Sequence, residues 1–198
     1  MMDPLADFTA DWQLAQTQKL MNARYCSLAT VGLDGRPVMR TVVLRGVSDG
    51  ALVLFVSASS PKWQQLKNNG NFEILVFWPE LLRQYRLGGH QLRELSAVEM
   101  QGHWQRKPYD AKILDLYYVK HQAQSTAVDS REAFLAEIAK LKADYPSDQD
   151  IPLVDNALGL QLSVNFIERW QLGEGGEMHQ RTLWTQTERG WKRQFLVP

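Results

Sequence analysis

Between Arg40 and Gly88 the chain concentrates residue types suited to holding an anion. Arg40-Thr41-Val42-Val43-Leu44-Arg45 alternates as a β-strand, with Arg40, Val42 and Leu44 on one face and Thr41, Val43 and Arg45 on the other. An arginine at each end of an otherwise apolar strand is poorly explained by packing alone. Ser57-Ala58-Ser59-Ser60-Pro61-Lys62 then leads from an apolar run into a helical pattern. There, free backbone N–H groups, serine hydroxyls and a lysine would converge on a bound anion. In Phe77-Trp78-Pro79-Glu80-Leu81-Leu82-Arg83-Gln84-Tyr85-Arg86, which follows, Gln84 offers an amide donor and acceptor.

Taken in order, these segments resemble the pyridoxamine 5'-phosphate oxidase family of FMN-binding split β-barrels, and in particular its oxidase-related flavoprotein branch. The family pattern reads Arg-x-Val-Leu-Leu-Lys, a strand ending in Tyr-Thr, Ser-Arg-Lys opening a helix, then Phe-x-Trp-x-x-Leu-x-Arg-Gln-Val. Arg40 to Arg45, Val56-Ser57, Ser60-Pro61-Lys62 and Phe77 to Tyr85 stand here in the same order. Phe166-Ile167-Glu168-Arg169-Trp170-Gln171, Met178-His179-Gln180-Arg181 and a closing Trp191-Lys192 to Pro198 fit the C-terminal third. The likeness runs from about Arg24 to the last residue.

That resemblance implies an α+β fold: a split barrel of about six to eight mostly antiparallel strands with flanking helices. It implies FMN as cofactor, with Arg40, Ser60 and Lys62 on the phosphate and Arg45 nearer the flavin and substrate. Ser57 would close the strand before them, and the backbone of Thr41, Val42 and Val43 would bracket the flavin edge. Gln84 would meet the ring or ribityl chain, Gln124 and Ser125 would reach FMN across a dimer, and Trp170 and Arg181 would complete the cofactor site. The substrate-side register falls on Arg45, His103, Lys107 and His179. It also shows departures: Ala111 replaces a serine, Glu177 an arginine, and Pro61 the arginine of the phosphate loop. The implied activity is hydride transfer from a small substrate to flavin N5, with reoxidation by oxygen, in a homodimer with FMN at its interface. A flavin reductase or oxidase for another compound, or a non-catalytic FMN or haem carrier, are the alternatives.

Composition bounds these readings. The 198 residues suffice for one sizeable domain, and 44% hydrophobic with 22% charged residues is globular. With 22 basic and 22 acidic side chains the formal charge is zero, which argues against a nucleic-acid or anionic-membrane surface. No apolar run approaches a spanning helix and the N-terminus lacks a leader pattern, so a cytoplasmic protein is expected. The single Cys26 lies in an apolar run and reads as a core residue. His90, His103, His121 and His179 show no close metal-ligand spacing.

To position the site residues, the pattern predicts a first helix between Asp7 and Ala23 with Phe8, Trp12, Leu14, Ala15 and Leu20 on its apolar face. It predicts a hairpin of Tyr25 to Val31 and Val38 to Arg45 about an Asp34-Gly35 turn. Strands follow at Leu52 to Ser57, Phe72 to Phe77 and Arg83 to Gly88, with a short helix from Pro61 to Asn69. A helical insertion over about 96–145 opens on the capping box Ser96-Ala97-Val98-Glu99 and includes helices from Pro108 and Asp129. Strands return from Leu158, with a turn at Gly173 to Gly176.

Overall fold

The computed structural model describes residues 3–173 and 177–198. Its strands are β1 (Tyr25–Val31), β2 (Pro37–Ser48), β3 (Ala51–Ser57), β4 (Phe72–Trp78), β5 (Arg83–Gly89), β6 (Gln91–Glu94), β7 (Ala157–Ser163), β8 (Phe166–Gln171), β9 (Gln180–Thr187) and β10 (Gly190–Leu196). The helices are α1 (Pro4–Thr17), α2 (Pro61–Asn68), α3 (Ala97–Gln105), α4 (Tyr109–Lys120) and α5 (Arg131–Asp144). Every strand pairing is antiparallel, in the order β10-β9-β8-β5-β4-β1-β2-β3-β7-β6.

The fold is the expected α+β class, with a curled antiparallel sheet of ten strands where six to eight were anticipated. The sequence reading missed β6, a four-residue edge strand on β7, because Gln91-Leu92-Arg93-Glu94 is too short and polar to show alternation. Curling brings the end of β5 against β7. A Cβ on Gly89 would fall 2.1 Å from the Ser163 carbonyl oxygen, so the approach requires glycine. The β1–β2 turn runs through Gly35 at φ +80°, as Asp34-Gly35 predicts. Of the turn expected at 173–176, residues 174–176 lie outside the described residues.

α1 begins earlier and ends sooner than its hydrophobic spacing suggested. The Asp3 carboxylate accepts from the Leu5 N–H (3.0 Å) and Pro4 occupies the first turn, which fixes the start. After Thr17 the chain leaves the helix, and Lys19 turns it at φ +56°. Leu5, Phe8, Trp12 and Ala15 form the buried face, whereas Leu14 is largely exposed. Phe8 is completely buried against Trp78 and Tyr85, with ring centroids 5.9 and 5.1 Å away, worth about 2–3 kcal/mol of apolar burial.

One polar contact locks this helix in register. Asp11, buried on the same face, accepts from Arg83 and from the Tyr85 hydroxyl at the start of β5. Burial and the Asp11 carboxylate push the Tyr85 phenol well above its ordinary range, so it remains a donor.

The helices from α3 to α5 carry their own apolar cluster of Trp104, Ile113, Leu116, Tyr117, Leu141, Ile151 and Ala157. The Ser96–Glu99 capping box opens α3 as predicted, and Ser130 caps α5 through the Ala133 N–H. Trp104 Nε1 donates to the Ile151 carbonyl (3.1 Å), tying the end of α3 to the segment before β7. Cys26 is buried in the barrel core, and burial raises its thiol to about 12.

Asp11→Ala leaves Arg83 and Tyr85 without an acceptor and should cost on the order of 3 kcal/mol. A urea melt reads this as a lower midpoint at unchanged slope. Cys26 should resist a thiol reagent at pH 8 in the native protein and react at one equivalent once unfolded; native labelling at a free-thiol rate would contradict its burial.

Candidate functional site

The entrance of α2 is built as the sequence suggests, but not every serine faces outward. Ser60 is fully buried, and its hydroxyl accepts from the Trp63 N–H (3.4 Å) as the helix cap. Expected on the phosphate, its side chain also serves as the cap of α2, which engages it as an acceptor. Ser57 and Ser59 stand 2.8 Å apart through their hydroxyls. Asn156, just before β7, donates to Ser57 (2.9 Å) and accepts from the Ser59 N–H (3.0 Å). Asn156 is about a hundred residues away in sequence, so no local pattern could have shown it.

Lys62 points from α2 to Gln124, whose Oε1 accepts from its ammonium (2.9 Å). The Gln124 N–H donates to Ser59 Oγ (3.2 Å). Gln124 therefore stands at the α2 entrance of its own chain. Ser125 follows, exposed, at φ +69°. Burial, and secondarily the nearby Arg40 charge, lowers the Lys62 pKa to about 8. No carboxylate is within ion-pair distance of Lys62 among the described residues.

On β2, Arg40 lies on the Val42/Leu44 face as predicted. It donates to Thr30 Oγ1 (2.6 Å) on β1 and to Gln65 Oε1 (2.6 Å) on α2, so much of its guanidinium is engaged. The β2–β3 register pairs Leu44 with Leu54 and Gly46 with Val53, which leaves Arg45 as the extra residue of a β-bulge. Strict alternation therefore ends at Leu44. The Arg45 guanidinium carbon lies 5.4 Å from the centroid of Phe55, and its Nε is buried with no hydrogen-bond partner. Burial and the neighbouring Arg24 lower its pKa.

Arg45 joins two adjoining cavities. One, of about 170 Å³, is lined by Arg45, Ser57, Lys62, Lys107, Asp115 and Gln124, with Ala111 in its wall. Five residues predicted from separate segments thus share one cavity. Asp115 was missed, since it reads in sequence as an ordinary α4 residue. It is buried, paired with Lys107, and its pKa is raised by burial. The other cavity, of about 340 Å³, lies between α1 and the end of α3, with Arg24, Arg45, His103, Arg106 and Lys107 around it. The His103 ring meets Phe55 edge-on at 4.9 Å, and burial with the nearby Arg106 lowers its pKa.

A second group of predicted residues stands apart. Gln84 pairs with Trp170, and Trp170 with Arg181, across β5, β8 and β9. Trp170 packs near Phe77 (6.4 Å) and His179 (5.5 Å). Three strand steps, roughly 14 Å along the sheet, separate β5 from β2. By register, Gln84, Trp170 and Arg181 share the sheet face that carries Thr41 and Val43. Arg181 is held by Glu168, which accepts from its Nε (3.0 Å) and Nη2 (2.8 Å).

A family model described as "Pyridoxamine 5'-phosphate oxidase, FMN-binding domain" matches residues 8–93. A pyridoxine/pyridoxamine 5'-phosphate oxidase from Psychrobacter cryohalolentis is 34% identical over 158 residues, covering 80% of this chain and 71% of the relative. The chain belongs to the pyridoxine/pyridoxamine 5'-phosphate oxidase family. Another member, from Deinococcus deserti, is 30% identical over 198 residues, with 99% of this chain and 89% of that one covered. Among solved structures, PhzG from Burkholderia lata 383, in complex with tetrahydrophenazine-1-carboxylic acid, superposes with a TM-score of 0.85 at 22% identity, covering 99% of this chain and 93% of that one. An oxidase-related FMN-binding protein from Nostoc punctiforme gives 0.76 at 24% identity, with both chains fully covered. At these identities the two structures speak to fold alone.

FMN is the cofactor of this family's domain. The α2 entrance suits it: a half-buried ammonium without a carboxylate partner among the described residues, an orphaned Arg45 Nε and a row of hydroxyl and amide groups make an anion-binding donor set. Pro61 supplies no side-chain donor where the resemblance has arginine.

Lys62 also sets a pH dependence. With a folded pKa near 8, below its ordinary 10.5, the native state holds fewer protons than the unfolded one between those values. Its charge opposes folding below pH 8, and that opposition lifts as pH rises toward 10.5. A phosphate beside Lys62 restores its proton, so FMN should bind with proton uptake near pH 8.5 and weaken above that pH. Calorimetry in buffers of differing ionisation enthalpy should show this uptake, and Lys62→Gln should remove it.

Proposed function

We propose that this chain is an FMN-dependent oxidase of the pyridoxamine 5'-phosphate type, acting on a small anionic substrate. The observation that carries this reading is the convergence of Arg45, Ser57, Lys62, Lys107 and Gln124 on one cavity beside the α2 entrance. Lys62, aided by Arg40, would neutralise the cofactor phosphate, with Ser57, Ser59 and Gln124 fixing the donors around it. The β2 backbone from Thr41 to Val43 would lie along the ring edge, and the Arg45 guanidinium would face both ring and substrate. When bound, FMN supplies a two-electron acceptor that takes a hydride from a substrate carbon and returns the electrons to oxygen. For an amine, the balance is amine, oxygen and water giving aldehyde, ammonia and hydrogen peroxide.

The chain's own residues would bind and orient the substrate, and no side-chain base is assigned. His103, neutral at pH 7 through its lowered pKa, would offer a flat wall and not a charge. Gln84, Trp170, Arg181 and His179 would serve a second site face, completed in a homodimer. Tyr25, Met39 and Phe77, apolar and exposed on the same sheet face, support a second copy packing there. We place the protein in the cytoplasm, and treat residues 1–198 as one domain into which the helices of about 96–145 are inserted.

Pyridoxamine or pyridoxine 5'-phosphate is the first substrate to test. A different anionic ring compound is the second reading, favoured by Ala111 in place of serine and by Asp115, which already neutralises Lys107. The purified protein should show a flavin absorbance band, and anaerobic pyridoxamine 5'-phosphate should bleach it. A band that persists would reject that substrate, and failure to bind added FMN would reject the cofactor role. Arg40→Ala with Lys62→Ala should abolish FMN retention without unfolding, because two charge-assisted contacts are each worth about 1.5–3 kcal/mol.

A further inference from the structure

Around Arg45 the positive charge is left without a counterion on one side only. Toward α4, Lys107 is paired with Asp115. Toward α1, Arg24, Arg45 and Arg106 line the cavity of about 340 Å³, and none makes an ion pair among the described residues. Arg24 is anchored by a neutral group, its Nε donating to Gln16 Oε1 (3.1 Å) on α1. Arg106 is within 3.4 Å of His103 Nδ1, which also carries no charge to offset it. Burial lowers the Arg45 pKa, and the nearby Arg24 charge lowers it further while Asp115 acts in the opposite sense.

Arg24 and Arg106 are exposed at the mouth and Arg45 is partly buried with an unpartnered Nε, so an entering oxyanion would meet guanidinium donors in forked geometry. Trp12 from α1, Phe55 from β3 and the His103 ring supply flat walls, and Gln16, Leu44 and the Asp115-paired Lys107 complete the lining.

We infer that Arg24 and Arg106 determine specificity by receiving the oxyanion of a planar ring substrate between α1 and the end of α3. The substrate anion then sits on the α1 side of Arg45 and not at Lys107 and Ala111, where Asp115 and the missing serine make a poorer anion site. This rests on the reading of the chain as an FMN-dependent oxidase, and it names the substrate subsite of that enzyme. The ring is presented edge-first past Arg45, and the anion, carboxylate or phosphate, is recognised by charge.

Benzoate and phenyl phosphate, titrated by calorimetry into FMN-loaded protein and again into cofactor-free protein, test this directly. At least one probe should bind with unit stoichiometry, and the tighter of the two names the anion. Arg24→Gln combined with Arg106→Gln should weaken that binding roughly tenfold or more while leaving flavin absorbance and thermal midpoint unchanged. Ala111→Ser, which restores the family residue, should leave probe affinity unchanged. Binding of neither probe, double-variant affinity within threefold of wild type, or tighter binding in Ala111→Ser would each overturn the subsite. Failure of the wild type to take up FMN sinks the oxidase reading alone, because the cofactor-free titration still reports on the arginines.

Discussion

The β-bulge at Arg45 is the constraint on which the site depends. A regular strand would alternate Leu44, Arg45, Gly46 and Val47 between two faces, placing Gly46 with Leu44 in the core. Inserting one unpaired residue opposite Val53 and Leu54 shifts the phase, so Val47 packs toward the core and Arg45 is set over Phe55. That placement puts one guanidinium at the junction of two cavities, with a buried Nε that nothing in the chain satisfies. An unmade hydrogen bond of this kind costs about 1–3 kcal/mol, which an oxyanion accepting from Arg45 would recover.

The rest of the fold holds that strand and its neighbours in place. α1 is fixed by Phe8 in the aromatic cluster and by Asp11 on Arg83 and Tyr85, and its far end supplies Trp12 and Gln16 to the cavity. α3 and α4, packed on their own apolar cluster, bring His103 and Lys107 to the opposite wall, and Asp115 to the adjoining cavity. The cavity thus forms where two separately packed bodies meet, and its charge balance depends on elements up to about a hundred residues apart. Asp115 illustrates the consequence: beside Lys107 it cancels a cation that the family register would assign to the substrate.

Much of the fold was legible because alternation and turn chemistry act locally. Tyr25 to Arg45 read correctly as a hairpin since Asp34-Gly35 supplies the positive φ, and Ser96 with Glu99 announced α3. The failures are equally physical. α1 was misplaced because the Asp3 cap with Pro4 starts it before the first apolar residue read and the turn at Lys19 ends it before Leu20, and β6 was too short to carry a period.

For the site, the sequence by itself determined the kinds of donor and their order: Arg40, Arg45, Lys62 and Gln124 are written in the chain, and their spacing carries the family resemblance. Which of them remain available was decided only by tertiary structure. Ser60 caps α2, Arg181 is paired with Glu168 and Lys107 with Asp115, while Asn156 enters from the far end of the chain. The physical reason is that a charge or hydroxyl is free to bind a ligand only if no neighbour satisfies it, and those neighbours come from strands and helices that sequence spacing does not bring together.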